Sequence, residues 1–169
     1  MPKVQSSKSK VRSLVIVSAC LAGVNCRYNG GSKSDPHIQK LVKEEIAVFV
    51  CPEQLGGLSV PRRPAEISGG SGEDVLDGKA KVIDKDGRDL ASNFVKGAQE
   101  VLKIAEKIGV KKAILKSNSP SCGFGRVYDG TFKGRLRQGN GVTTALLLRA
   151  GVEVKSETSF GKERLFSGN

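Results

Sequence analysis

The chain alternates short apolar runs with stretches of helical periodicity, and this alternation restricts its fold more than any other feature. The runs have strand length and many β-branched residues, and they are Leu14–Ser18, Ile46–Val50, Ala113–Lys116 and Val152–Lys155. Strands that alternate with helices form βαβ units, in which a mostly parallel sheet is covered on both faces. We therefore predict an α/β fold.

Helix signals lie between the apolar runs. Asp35-Pro36 is typical of an N-cap followed by proline at the first helical position, and this helix should extend to about Glu45. From Ala91 to Ile108 apolar residues recur at helical spacing, and Gly109 follows as a C-terminal stop. A third helix is predicted over residues 142–150.

The segment from Pro61 to Arg88 does not fit the alternation. It is rich in Gly and Pro, and Asp86-Gly87 is typical of a hairpin turn. We interpret this segment as an excursion over the surface.

The chain is strongly basic. Its 28 Lys and Arg against 17 Asp and Glu give a net charge of +11, which attracts anionic ligands and above all nucleic acid. Residues 1–13 contain four of these basic residues and no acid, so we predict a flexible basic arm there, followed by a single domain at residues 14–169. Such an arm is more often a solvated extension than a specific binding site.

No membrane segment or export signal is expected. The sequence has no run of about 18 apolar residues, and its start lacks the apolar core of a signal peptide. We therefore expect a cytoplasmic protein. In that reducing compartment its four cysteines should be metal ligands, reactive thiols or packed apolar side chains, and not disulfides.

Three of the cysteines follow predicted strands. Cys20, Cys51 and Cys122 each lie just beyond the carboxyl end of a strand, and these ends share one edge of a parallel sheet. A single cysteine at such a position is more often a small packed side chain. Three at one edge predict a metal site, because thiolates select zinc, copper(I) or iron–sulfur clusters. The sole histidine, His37, lies in a predicted helix away from this edge.

Polar side chains accompany these cysteines. Glu53 lies two residues beyond Cys51, and the hydroxyls of Ser119 and Ser121 precede Cys122. A carboxylate and a hydroxyl beside a metal suit proton transfer to a bound substrate. We therefore predict a reactive site at this edge.

At these residues the sequence resembles a family of small bacterial and archaeal domains that includes the thiouracil desulfidases. The resemblance extends from about residue 14 to residue 157. The matching stretches are Ser18-Ala19-Cys20-Leu21-Ala22-Gly23, Cys26-Arg27-Tyr28-Asn29-Gly30, Cys51-Pro52-Glu53-Gln54-Leu55-Gly56-Gly57, Arg63-Pro64-Ala65-Glu66-Ile67, Ser119-Pro120-Ser121-Cys122-Gly123, Tyr128-Asp129-Gly130 and Gly139-Asn140-Gly141-Val142-Thr143.

The resemblance implies a Rossmann-like three-layer fold that carries a [4Fe-4S] cluster. Cys20, Cys51 and Cys122 match the three cluster ligands, and the fourth iron is open to the sulfur of the substrate. The implied reaction converts a thiolated pyrimidine, such as 2-thiouracil, to the oxo base and releases hydrosulfide without net redox change.

The resemblance also assigns roles to the polar residues. Glu53 and Ser119 match the catalytic carboxylate and serine, and Tyr28 and Ser121 are the candidate substrate-binding residues. In this reaction Glu53 takes a proton from the attacking water and later returns it to the ring.

Cys26 departs from the simplest form of this pattern, because it adds a fourth thiol near Cys20. As a fourth ligand it would close the cluster; otherwise it lines the pocket or packs. Two other functions stay open at this point. In the first, the enzyme acts on thiouridine in transfer RNA, bound through the basic surface, and not on a free base. In the second, the chain is a nucleic-acid-binding module with structural zinc.

Overall fold

The computed structural model describes residues 13–166, with side chains described to residue 162. Apart from Ser13, the predicted basic arm lies outside the described residues, as do residues 167–169. In chain order the elements are β1 (Leu14–Ser18), a 3₁₀ helix (Ala19–Ala22), α1 (Pro36–Glu44), β2 (Ile46–Val50), α2 (Pro52–Leu55), β3 (Ala65–Ser68), α3 (Gly72–Leu76), β4 (Lys81–Asp84), α4 (Ala91–Ile108), β5 (Lys112–Leu115), β6 (Arg126–Tyr128), β7 (Leu136–Gln138), α5 (Val142–Arg149), β8 (Glu153–Ser156) and α6 (Glu157–Phe166).

A parallel sheet with the strand order β2-β1-β5-β8 forms the centre of the molecule. Successive residues of β1 point to opposite faces of this sheet. Ile16 packs with residues of α4 and α5, whereas Val15 and Val17 pack with residues of α1 and α6. The predicted α/β fold with a sheet covered on both faces is therefore confirmed.

The local signals place the central elements accurately. β1, β2 and α4 have the predicted boundaries, and β5 and β8 each lie within one residue of theirs. The Asp35 side chain caps α1 by accepting hydrogen bonds from the backbone N–H of His37 and Ile38. Gly109 ends α4 in the left-handed conformation, with φ of 70°.

The interpretation of residues 61–88 as a surface excursion is wrong. β3 and β4 form an antiparallel pair in this segment, and the predicted turn at Asp86-Gly87 follows β4. Ile67 and Val82 are fully buried and pack with Phe94 of α4 in a separate apolar cluster. The strands were missed because each has only four residues, and their burial depends on α4, which lies later in the sequence.

The sheet reverses its strand order at β1. The chain moves from β1 to β2 on one side, and β5 pairs with the other side of β1. A crevice forms outside the carboxyl ends at such a switch point, and ligands bind there in open α/β sheets. Within residues 13–166, no helix is long and apolar enough to cross a membrane.

Candidate active site

A cavity of about 360 Å³ lies at the carboxyl ends of β1, β2 and β5. Every site residue that the sequence predicts lines this cavity: Cys20, Tyr28, Cys51, Glu53, Ser119, Ser121 and Cys122. Cys26 lines it as well. The structure thus brings together residues as distant in the sequence as Cys20 and Cys122, as the strand-end argument predicts.

Cys20 is held by the 3₁₀ helix that follows β1. This helix ends at Gly23, whose φ of 97° is readily adopted only by glycine. The carbonyl oxygen of Cys20 accepts hydrogen bonds from the N–H groups of Gly23 and Lys33. Cys20 is buried, with 8% of its surface exposed.

Cys51 is the N-cap of α2, and Glu53 lies in the first turn of that helix. The position of α2 depends on two glycines, Gly56 and Gly97, where it packs against α4. A Cβ atom added at Gly97 would overlap the carbonyl oxygen of Pro52, and one added at Gly56 would overlap the carbonyl oxygen of Asn93. The two backbones are therefore in direct contact, and this contact fixes both Cys51 and Glu53.

Cys122 is held by a loop that packs on the amino end of α5. The Oγ of Ser119 accepts hydrogen bonds from the N–H groups of Ser121 and Cys122, both at 3.2 Å. The N–H of Thr143 donates to the carbonyl oxygen of Ser121 at 2.8 Å. Gly141 allows this approach, because a Cβ atom there would overlap the Ser121 carbonyl group.

Three of the thiols, those of Cys26, Cys51 and Cys122, have a raised pKa and lie in surroundings that favour their protonated forms. Burial raises the pKa of Cys122 to about 12. The neighbouring Cys26 thiol raises the pKa of Cys51, and burial adds to that rise. The neighbouring Cys20 thiol is the main cause of a raised pKa at Cys26. A metal that binds thiolates here would displace protons, so its binding should depend on pH.

Glu53 forms an ion pair with Arg62 that the sequence did not predict. Arg62 Nε donates to Glu53 Oε2 at 3.0 Å, and Arg62 Nη2 contacts the same oxygen. The guanidinium also donates to the carbonyl oxygens of Cys26 and Ser59, each at 3.1 Å. Both charged side chains are largely buried, with 9% and 15% of the Arg62 and Glu53 side chains exposed. Arg62 therefore orients the carboxylate and ties it to the Cys26 loop.

The hydroxyl groups occupy different parts of the cavity. The Oγ atoms of Ser119 and Ser121 are 3.0 Å apart, and Ser121 Oγ donates to the Cys122 sulfur at 3.7 Å. Tyr28 lies at the opening, with 41% of its surface exposed.

The cavity has further polar lining residues, among them Lys116 and Glu66. Lys116 Nζ pairs with Glu157 at the start of α6 at 3.0 Å.

Glu66 lies in one of the stretches that match the family, but the sequence analysis did not predict it as a site residue. Within the described residues, no three Cys, His, Asp or Glu side chains are grouped to hold a single metal ion.

Comparisons with known proteins identify the family. A profile of the 2-thiouracil desulfurase family matches residues 15–159. The chain is 51% identical over 144 residues to the uncharacterized protein YbbK of Bacillus subtilis (strain 168), and the match covers 85% of this chain and 95% of YbbK. Among solved structures, the [4Fe-4S]-dependent thiouracil desulfidase TudS matches with a TM-score of 0.78 and 40% identity, covering 92% of this chain and 97% of TudS. The chain therefore belongs to the 2-thiouracil desulfurase family.

Proposed function

We propose that this protein is a [4Fe-4S]-dependent desulfidase that converts a thiolated pyrimidine, such as 2-thiouracil, to the oxo base and hydrosulfide. The family to which it belongs and its similarity to TudS support this function. The observation that carries the proposal is that Cys20, Cys51, Cys122 and Glu53 line one cavity. Soft ligands and a proton acceptor are thereby available at the same place.

The donor set fits an iron–sulfur cluster. Cys20, Cys51 and Cys122 would hold it, since thiolates are the usual protein ligands of such clusters. The three sulfurs come from three separate strand ends, and all four cysteines are free thiols. A bound cluster of this kind supplies Lewis-acid chemistry, which polarises a bond to sulfur without a change in oxidation state of the substrate. We place the protein in the cytoplasm, where reducing conditions preserve such thiols.

Glu53 is the proposed proton carrier. Its Oε2 is engaged by Arg62, while Oε1 has no partner among the described residues and is available to a water molecule. Glu53 takes a proton from this water as the water oxygen bonds to the thiocarbonyl carbon. The carbon–sulfur bond then breaks, and the second proton of the water leaves with the sulfur as hydrosulfide. Glu53 releases the proton it holds to solvent, so that the base stays neutral and keeps its ring N–H groups. Water thus supplies the new oxygen, and the reaction is redox-neutral.

Ser119, Ser121 and Tyr28 position the substrate in this proposal. The two serine hydroxyls lie beside Cys122, and Tyr28 lies at the opening of the cavity. Ser119 also shapes the loop, because its Oγ accepts two backbone hydrogen bonds there. Ser119→Ala should therefore lower both turnover and the retention of the cluster.

The test is to reconstitute the protein with iron and sulfide without oxygen. We expect a brown protein with about four irons and matching acid-labile sulfide, and conversion of 2-thiouracil to uracil with release of sulfide. Alanine at Cys20, Cys51 or Cys122 should abolish retention of the cluster, whereas exposed Lys103→Ala serves as a control. Tight zinc binding by a protein that stays colourless would contradict the proposal. Thiouridine-containing transfer RNA, tested beside the free base, distinguishes the two substrate classes.

A further inference from the structure

Glu66 is a buried carboxylate in the wall of the cavity, and the proposed reaction does not use it. It lies in β3, with 8% of its surface exposed. Its Oε2 accepts hydrogen bonds from the backbone N–H of Gly130 at 2.8 Å and of Phe132 at 3.1 Å. These two bonds hold the loop between β6 and β7 over the cavity, where Tyr128 and Gly134 are also lining residues.

The second oxygen of Glu66 has no protein partner. No hydrogen bond to Oε1 occurs among the described residues. Glu66 also forms no ion pair there, whereas Glu53 and Glu157 each pair with a basic side chain. Oε1 is also not fully enclosed by protein. Among the described residues, Thr143 Oγ1 is the one enclosed side-chain oxygen or nitrogen without a hydrogen-bond partner. Oε1 has no partner either, so it must be partly exposed. Glu66 lines the cavity, and of its two oxygens Oε1 is the one that the loop leaves without a hydrogen bond.

An ionised carboxylate only accepts hydrogen bonds, and a ligand that displaces water from Oε1 without replacing its hydrogen bonds leaves the oxygen without partners at a cost. A ligand that donates a hydrogen bond to Oε1 would remove this cost. A thiolated pyrimidine carries ring N–H groups next to its thiocarbonyl carbon, and these are donors of the required kind. Arg62 and Lys116, by contrast, are committed to Glu53 and Glu157.

We propose that Glu66 is a specificity-determining residue whose Oε1 accepts a hydrogen bond from a ring N–H of the substrate. This inference rests on the proposed function. It predicts a preference for bases with a free ring N–H over bases substituted at that nitrogen, because a site built around a hydrogen bond discriminates against ligands that cannot form it.

Glu66→Gln tests this role with little change in shape. The amide oxygen of Gln can still accept the N–H groups of Gly130 and Phe132, but its NH₂ then presents donors to the cavity. For the cluster-loaded enzyme we expect KM for 2-thiouracil to rise roughly 10- to 100-fold, the scale of a lost hydrogen bond to a charged group. The value of kcat and the iron content should change little.

Two N-methylated substrates make the test specific. The 1-methyl and 3-methyl forms of 2-thiouracil each lack one ring N–H, and the wild type should discriminate against one of them. In Glu66→Gln this discrimination should shrink, because the parent base loses a hydrogen bond that the methylated base never formed. Uracil binding to the loaded proteins, measured by calorimetry, should weaken in parallel and needs no turnover.

Asp129→Ala controls for the support that Glu66 gives to the loop. Asp129 Oδ1 accepts hydrogen bonds from Thr131 N and Oγ1 in the same loop, at 3.0 and 2.6 Å, and Asp129 is not a lining residue. This variant should keep the wild-type KM and discrimination. If Glu66→Gln matches the wild type, or if both variants lose kcat and iron together, the proposal is wrong.

Failure of the proposed function would look different. A fully loaded wild type that does not release sulfide would contradict the desulfidase activity, whatever the Glu66 variant does. Uracil binding then still decides the role of Glu66: weaker binding in Glu66→Gln supports it, and equal or absent binding overturns it.

Discussion

Arg62 Nε donates a hydrogen bond to Glu53 Oε2 at 3.0 Å, and the same guanidinium donates to the carbonyl oxygen of Cys26 at 3.1 Å. One side chain thus connects the first turn of α2 with the loop that follows the 3₁₀ helix. A guanidinium suits this role because its donors have a fixed planar geometry. The pairing holds Oε2 of the carboxylate, and Oε1 has no partner among the described residues.

Glu53→Gln keeps nearly the same size but removes the proton acceptor. The cluster should therefore assemble normally, while turnover of 2-thiouracil falls roughly 100-fold or more, the scale of a general acid–base group. Iron content and kcat are measured on the same anaerobic preparation. Near-normal turnover would assign proton transfer to another group.

Arg62→Lys tests whether the orientation of Glu53 matters. Lysine keeps the charge but cannot contact Glu53, Ser59 and Cys26 with one planar fork. We expect kcat to fall about 10- to 100-fold, because small errors in the placement of reacting groups are costly. The matched control is Arg149→Lys, which alters an exposed ion pair with Asp77 at 3.1 Å. Equal activity of the two variants would show that the charge alone is sufficient.

Gly97→Ala should destabilise the protein although helix propensity predicts the opposite. Alanine in a helix is favoured over glycine by about 1 kcal/mol. At Gly97, however, the new methyl group would overlap the Pro52 carbonyl oxygen and displace α2, at a cost of about 1–3 kcal/mol for overpacking. We expect a lower midpoint in urea unfolding and weaker retention of iron, because Cys51 and Glu53 move with α2.

Gly161→Ala is the matched control for this change. It also places alanine in a helix, where the nearest side chain is that of His37 at 3.2 Å. The His37 side chain is 41% exposed and has room to turn away. This variant should be as stable as the wild type and keep its iron. A stable, iron-replete Gly97→Ala protein would contradict the close contact between α2 and α4.

The central sheet and long helices could be predicted because their signals are local. Apolar runs, the Asp35 cap and the Gly109 stop each act within a few residues of the sequence. β3, β4, β6 and β7 could not be predicted in this way, because they have three or four residues each and their burial depends on distant parts of the chain.

The same distinction between local and long-range signals applies to the residues of the site. Cys20, Cys51 and Cys122 could be placed together because parallel strands share an edge at their carboxyl ends. Arg62 could not be identified, since it is one of 28 Lys and Arg residues, and its pairing with Glu53 depends on the path of the chain between α2 and β3. The engagement of Glu66 Oε2 by the N–H groups of Gly130 and Phe132 likewise depends on the β6–β7 loop.

The raised pKa of Cys122 predicts that the cluster-free protein loses stability at alkaline pH. The unfolded thiol ionises from about pH 8.5, whereas burial raises the pKa of the folded thiol to about 12. Between these values the folded state holds a proton that the unfolded state has lost. Stability therefore falls as pH rises through this window, by up to about 1.4 kcal/mol per pH unit.

Urea unfolding under reducing conditions at pH 8 and pH 10 measures this loss. Cys122→Ala removes the titrating thiol, so its free energy of unfolding should fall less between the two values than that of the wild type. The other three cysteines are present in both proteins, and their contributions largely cancel. Equal losses in the two proteins would mean that the Cys122 thiol ionises alike in the folded and unfolded chains.

Cys26 provides the sharpest test of the three-ligand site. It is buried and lines the same cavity as Cys20 and Cys51, and the Cys51 thiol donates a hydrogen bond to its carbonyl oxygen at 3.7 Å. If three thiolates hold the cluster, Cys26 only lines the cavity, and Cys26→Ala should keep the iron and most of the turnover. If Cys26 is a fourth ligand, the wild type has no open iron for substrate sulfur.

Iron content and conversion of 2-thiouracil are therefore compared for the wild type and Cys26→Ala, prepared side by side without oxygen. Cys26→Ser is the matched variant, because serine restores much of the volume and a polar hydrogen without the soft sulfur. We expect both variants to remain loaded, with turnover within a few-fold of the wild type, since no ligand is lost. A fully loaded wild type without activity, together with loss of iron in both variants, would identify Cys26 as a ligand that closes the cluster.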